Sequence, residues 1–401
     1  MDISQYFEPL AFETQRFLCE SSMPTIAEKV SAYAVGAAFP EVEDYSLALF
    51  GVADDRGSLG NKGCAEAPNR VRSFLYSLVA PVSQIKLYDL GNYVPAGSPD
   101  DTYAAVTDIL SQLIEHNVTA IVLGGGQDIT YAMYEAYARQ GKLINICAVD
   151  PRFDIAGHSS ITSQSYLNHI IMRNSRYLFN YTTMGYQTYL VGDDNIKLME
   201  ELDFYAYRLG YVQADMVRAE PLVRNADLVT VDISAVRQSD APAHAHPSPH
   251  GFYGEQLCQI FRFAGMSDKV SSLGLFELNP LYDHAGQTAH MAAHALWYFI
   301  EGFHSRRNDT PVFVEGADGI TLDKRGCKQF LVQMESPDME LVFYKSRATD
   351  RWWIELPCPN EALKRRYLRH LIIPCNYSDY ECAMHNEIPE LWYRYYKRLT
   401  L

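Results

Sequence analysis

The chain has 401 residues, 48% of them apolar, enough to bury a large core in one or two domains and to exclude extended disorder. Its 49 acidic and 34 basic residues leave a formal charge of -15, which excludes a general attraction to nucleic-acid backbones or anionic membranes. A small-molecule or protein partner is expected instead.

Residues 1–40 are expected to form an N-terminal helical segment. The opening Met1-Asp2-Ile3-Ser4-Gln5 has no basic-then-apolar leader and no apolar run reaches membrane-spanning length, so a cytoplasmic location is expected. The eight cysteines show no CxxC pairing, as reduced thiols would.

From residue 41 to 309, short apolar runs alternate with amphipathic stretches. Ser46 to Val52, Ile85 to Leu90, Thr119 to Leu123, Leu143 to Val149, Leu228 to Val231 and Ser272 to Leu278 read as buried strands. Ala104 to Glu115, Tyr131 to Arg139 and Gly254 to Ala264 read as helices between them. That alternation gives βαβ units and a mainly parallel sheet covered on both faces, with ligands expected at the carboxyl edge. Residues 310–401 change character: strands at Phe330 to Met334, Met339 to Ser346 and Arg351 to Leu356 form a small antiparallel addition packed on the main domain. Helices from Asn360 to Leu371 and Ile388 to Leu399 follow, and the aromatic stripe Trp392, Tyr393, Tyr395, Tyr396 reads as packing rather than as a groove.

Three segments at strand ends carry acids: Gly124-Gly125-Gly126-Gln127-Asp128, Val149-Asp150-Pro151-Arg152-Phe153-Asp154 and Val231-Asp232-Ile233-Ser234. Aspartates in such places converge on a hard cation or cap helices and turns, and spacing does not choose. The triglycine permits a close backbone approach to a ligand. Glu277, after the last apolar strand, either meets a cationic ligand group or forms a structural salt bridge. His244, His246 and His250 lie in a proline-stiffened loop suited to a substrate rim more than to metal, and His158 and His169 read as surface or core residues.

In chain order, Gly51-Val52-Ala53-Asp54-Asp55-Arg56-Gly57, Asn61 to Arg72, the three acidic segments, Ser239 to Pro242, Glu277 to Asp283 and the helix starting at Thr288-Ala289 resemble the arginase/ureohydrolase superfamily, especially its formimidoylglutamase-like members. The resemblance spans about residues 45 to 305. It implies a three-layer α/β/α sandwich on an eight-stranded parallel sheet, oligomeric assembly, and two Mn²⁺ ions sharing a hydroxide that attacks a guanidino or formimino carbon.

Such members bind metal through two histidines and four aspartates. Here Asp150, Asp154 and Asp232 stand at aspartate positions, while Gln127 and Arg152 replace the histidines and Ser234 the fourth aspartate. One Mn or Mg ion at Gln127, Asp150, Asp154 and Asp232 is conceivable, or none; a dinuclear site is not expected, because protonated Arg152 has no lone pair for a metal. Arg152 is expected to face Asp150 and Asp232 and supply part of the missing charge. Catalysis, where any survives, is expected of Asp154 and Glu277, and substrate contact of Glu277, where the resemblance puts the cationic end, and of Asn279 and His244.

The expected function is therefore a catalytically inactive homologue that binds a guanidino or formimino ligand, a protein partner or its own copies. The alternative is an active hydrolase of linear C–N bonds, such as a formimidoylglutamase, using one metal or an altered site.

Overall fold

The computed structural model describes residues 3–11, 23–82, 84–316, 319–335, 338–358 and 360–400. Eight strands run parallel: β1 (Leu47–Val52), β2 (Leu87–Tyr93), β3 (Thr119–Gly124), β4 (Ile144–Val149), β5 (Leu178–Tyr186), β6 (Tyr205–Arg208), β7 (Leu228–Asp232) and β8 (Ser272–Phe276). Across the sheet their order is β2-β1-β3-β8-β7-β4-β5-β6.

Alternation along each strand builds two cores. Leu47 and Leu49 face the helices Ala67–Leu75, Gly254–Met266 and Gln287–His304, whereas Ala48, Phe50 and Val52 face Pro99–Glu115, Ile129–Arg139 and Tyr166–Asn174. Strands dry on both faces explain the continuous apolar runs in the sequence. The three-layer expectation holds.

The strand readings missed β5 and β6. In β5, Asn180, Thr182 and Thr183 interrupt the apolar run, yet all three are buried. The N-terminal expectation is corrected for the described part of residues 1–40. That part holds the 3-10 turns Ile3–Tyr6 and Ile26–Glu28, with Phe7–Glu8 pairing antiparallel and Ser31–Ala32 parallel to β2. Covering the exposed hydrogen-bonding edge of β2 competes with helix formation there. Residues 12–22 of the expected helical segment lie outside the described residues.

The C-terminal extension forms a four-stranded antiparallel sheet (Lys328–Glu335, Asp338–Lys345, Trp352–Glu355, Ile372–Cys375) with a hairpin, Val312–Gly316 and Gly319–Asp323, and the helix Glu390–Thr400. Its Val332, Phe343, Ile354 and Trp392 belong to one continuous core with the helices Gly254–Met266 and Gln287–His304. Polar ties reach the amino-terminal ends of the main strands. His370 Nε2 lies 3.0 Å from the Leu143 carbonyl, Arg369 Nη2 lies 2.7 Å from Asp227 Oδ1, and Arg398 Nε donates to the Phe179 carbonyl. The extension therefore grips the amino edge and leaves the carboxyl edge free. Among the described residues no helix is long and apolar enough to cross a membrane.

Trp392 is 2% exposed and donates from Nε1 to the Glu355 carbonyl at 2.9 Å, whereas its neighbour Tyr393 is 56% exposed. Trp392→Ala is expected to cost about 3–5 kcal/mol in urea unfolding, and Tyr393→Ala less than about 0.5 kcal/mol.

Candidate functional site at the carboxyl edge

Strand order and register bring the separate motifs together. Val149 lies level with Val231, Asp232 with Phe276, and Leu275 with Leu123. Asp232, the last residue of β7, and the residues just beyond β4, β8 and β3, which are Asp150, Glu277 and the 125–127 turn, thus line up along one sheet edge. The turn is closed by Glu277 N donating to the Gly125 carbonyl at 2.9 Å. A Cβ on Gly125 would stand 1.9 Å from the Asp54 carbonyl oxygen, so the close approach the triglycine permits is one of protein backbone.

Asp150 and Asp232 are held alike. Asp150 Oδ1 accepts from Arg152 N at 2.7 Å and Asp232 Oδ1 from Ser234 N at 2.6 Å, each a turn closed two residues on. The expectation that Arg152 faces Asp150 and Asp232 is not met by a salt bridge to either. With its N–H turned to Asp150, its side chain lines a cavity of about 420 Å³ together with Ser234, Tyr189, His246 and Ser248. Its charge reaches Asp154 through space, a minor influence that opposes the upward push of burial.

Glu277 is 2% exposed and firmly placed. Its Oε2 accepts from Ser58 Oγ at 2.6 Å and Asn61 Nδ2 at 2.8 Å, and Oε1 accepts from Gln127 N at 3.1 Å. His244 Nδ1 accepts from His246 N at 2.9 Å, which leaves its Nε2 as the N–H side, 3.9 Å from Glu277 Oε2. Burial lowers the His244 pKa and favours that neutral ring. Asn279, expected to touch substrate, is fully buried and its Nδ2 donates to Asn61 and Lys62, so it fixes the loop that holds Glu277. The role of Ser58 and Asn61 escaped the sequence reading, although Asn61 lies in one of its motifs.

Burial dominates the electrostatics. It pushes Asp150 and Asp154 upward, reinforced by the charge of Asp232 at Asp150 and of Asp150 at Asp154. Burial and then Asp232 push Glu277 up to about 8. Asp128, which accepts from Tyr103 Oη at 2.8 Å, is pushed by burial up to about 7. Asp154 and Glu277 also adopt left-handed backbone, φ 53° and 63°, a strain of about 1–3 kcal/mol each that clusters at working sites.

Gln127 Oε1 and Nε2, Asp150 Oδ2, Asp154 Oδ2 and Ser234 Oγ are buried without a hydrogen-bond partner. This concentration of orphaned oxygens suits one hard cation or a donor-rich ligand. The position bounded by Arg152 and Ser234 does not suit a second ion, having a fixed positive charge and a neutral hydroxyl. Among the described residues no three His, Cys, Asp or Glu side chains are gathered at metal-ligating spacing, so a cation would have to draw the carboxylates inward.

Residues 45–301 match the arginase family, and the chain belongs to it. Within that family it is formimidoylglutamase-like. A formimidoylglutamase of Staphylococcus aureus (strain JH9) is 26% identical over 309 residues, covering 74% of this chain and 93% of the relative. The crystal structure of formimidoylglutamase from Bacillus subtilis superposes with a TM-score of 0.65 at 17% identity, covering 74% of this chain and 97% of that one. Formiminoglutamase of Trypanosoma cruzi with Mn²⁺ gives a TM-score of 0.65 at 19% identity, covering 71% and 100%. At such identities the two structures speak for the fold.

Acids raised by burial hold protons in the folded chain that the unfolded chain releases. Stability therefore falls as pH rises from about 4, the unfolded value, through the folded values near 7 and 8 of Asp128 and Glu277. Asp154→Asn removes one such group. Its melting temperature in metal-free buffer should exceed that of the unaltered chain at pH 8 and match it near pH 4.

Proposed function

We propose that the carboxyl edge binds a small amino-acid-like ligand bearing a guanidino or formimino cation, and that the two-metal hydrolysis of related enzymes does not operate there. The observation that carries this reading is the placement of Arg152 and Ser234. At positions where the family resemblance puts a histidine and an aspartate ligand, this chain has a guanidinium and a hydroxyl, on two residues that line a cavity of about 420 Å³. Without a second ion, a bound water loses one of the two charges that lower its pKa and orient it.

The same substitutions supply ligand recognition. Arg152 lines the cavity and is suited to a ligand carboxylate, while Glu277, Asp150 and Asp154, whose pKa values burial raises, would give up their protons and turn negative on meeting the cationic end. A chain of this kind is a binding homologue, acting alone, as a homo-oligomer or through a protein partner. The orphaned oxygens of Gln127, Asp150 and Asp154 support one alternative, a C–N hydrolase working with a single Mn or Mg ion.

Calorimetry with formiminoglutamate, arginine and agmatine, alongside assays for formamide and urea in Mn²⁺ buffer, tests both readings. Heat of binding to the unaltered chain without product is expected, and turnover sinks the inactive reading. The triple change Gln127→His, Arg152→His and Ser234→Asp should raise product release from background by at least about 100-fold if the scaffold retains the remaining geometry.

A further inference from the structure

A second cavity, of about 230 Å³, lies where the extension meets the main domain, at the amino edge of the sheet. Arg224, Lys269, Arg325 and Arg369 line it, against the single lining carboxylate of Asp268. Both Asp268 oxygens are engaged, accepting from Asn308 N, Thr310 N and Thr310 Oγ1. Behind the wall, fully buried Asp227 pairs with Arg369 at 2.7 Å and Lys269 at 3.9 Å, and Glu220 lies 2.9 Å from Arg224 Nε.

Two donors remain unused. Trp353 is fully buried and its Nε1 has no acceptor; Arg224 is 3% exposed and its Nη1 has none either. The Arg224 guanidinium sits 4.7 Å from the Trp353 ring centroid, so the two donors belong to one stacked unit. Buried N–H groups left without acceptors are costly, and here they adjoin a cavity with basic walls. Its remaining wall is apolar, from Phe313, Leu368 and Ile372.

We propose that this cavity is a second binding site, for a compact organic anion: a carboxylate or phosphate monoester carried on a small apolar group. The orphaned indole and guanidinium N–H groups bind the acid oxygens, and the apolar wall takes the hydrocarbon part. Because Lys269 and Arg224 come from the main domain and Trp353 and Arg369 from the extension, the bound anion ties the two together and stabilises the folded chain.

Calorimetry and thermal unfolding of the full chain with benzoate, phenyl phosphate and inorganic phosphate, against sodium chloride at equal ionic strength, test this. Benzoate or phenyl phosphate is expected to bind and raise the melting temperature above the chloride control, and whichever binds tighter identifies the acid group. Trp353→Phe, which keeps a smaller aromatic ring and deletes the donor, and Arg325→Gln, at an exposed hairpin end, should each weaken binding at least 5-fold, by the ordinary value of a charge-assisted hydrogen bond, about a factor of 10. Asp268→Asn should strengthen it. No shift beyond chloride for either organic anion overturns the proposal, as does unchanged affinity in Arg325→Gln, a surface change that leaves the core intact.

Discussion

Three aspartates and a glutamate lie within the dry carboxyl edge of a parallel sheet, and like charges so placed cannot all ionise without a counter-charge. Much of the surrounding structure answers that constraint. Backbone N–H groups of Arg152 and Ser234 turn onto Asp150 and Asp232, while Ser58, Asn61 and the Gln127 amide converge on Glu277. What those donors leave uncompensated appears as raised pKa values and as orphaned oxygens. Protons, a cation or a cationic ligand are the remaining ways to balance the edge, and a chain that has exchanged ligands at Gln127, Arg152 and Ser234 leans toward the first and third.

The sheet separates two kinds of work. Its carboxyl edge gathers chemistry from four adjacent strands, which the order β3-β8-β7-β4 places side by side though they are far apart in sequence. Its amino edge is occupied by the extension, fastened through Leu143, Phe179 and Asp227 and sharing a continuous apolar core with two helices of the main domain. A partner docking on the extension would therefore stand a full strand length from the acidic cluster. Influence between the edges would have to pass through the sheet or through the helices that both regions pack against.

Much of the fold was legible because buried parallel strands write themselves as apolar runs, as β1, β3, β4, β7 and β8 do. β5 was hidden by Asn180, Thr182 and Thr183, whose polar side chains are buried where a local pattern would leave them wet; Asn180, for one, reaches Tyr395 Oη at 3.1 Å, a partner 215 residues away. β6, Tyr-Ala-Tyr-Arg, has no aliphatic run to mark it as a buried strand. At the site, the acids themselves were readable from their positions after strands. The lack of a salt bridge from Arg152 to them was not, since a side chain's partners depend on the whole fold, and Asn279 was assigned to substrate because nothing local reveals that its amide is already committed to Asn61 and Lys62. Burial shows from sequence; the partner a polar side chain finds across the fold does not.

The central claim is that this edge accepts at most one metal ion, because Arg152 and Ser234 disable one half of a two-ion site. Diffraction at the manganese absorption edge, from crystals grown in excess Mn²⁺, tests it most directly. The expected anomalous map has no peak or a single one, bounded by Gln127, Asp150, Asp154 and Asp232. Two peaks bridged by Asp150 and Asp232, with the Arg152 guanidinium swung clear of the second, would contradict it.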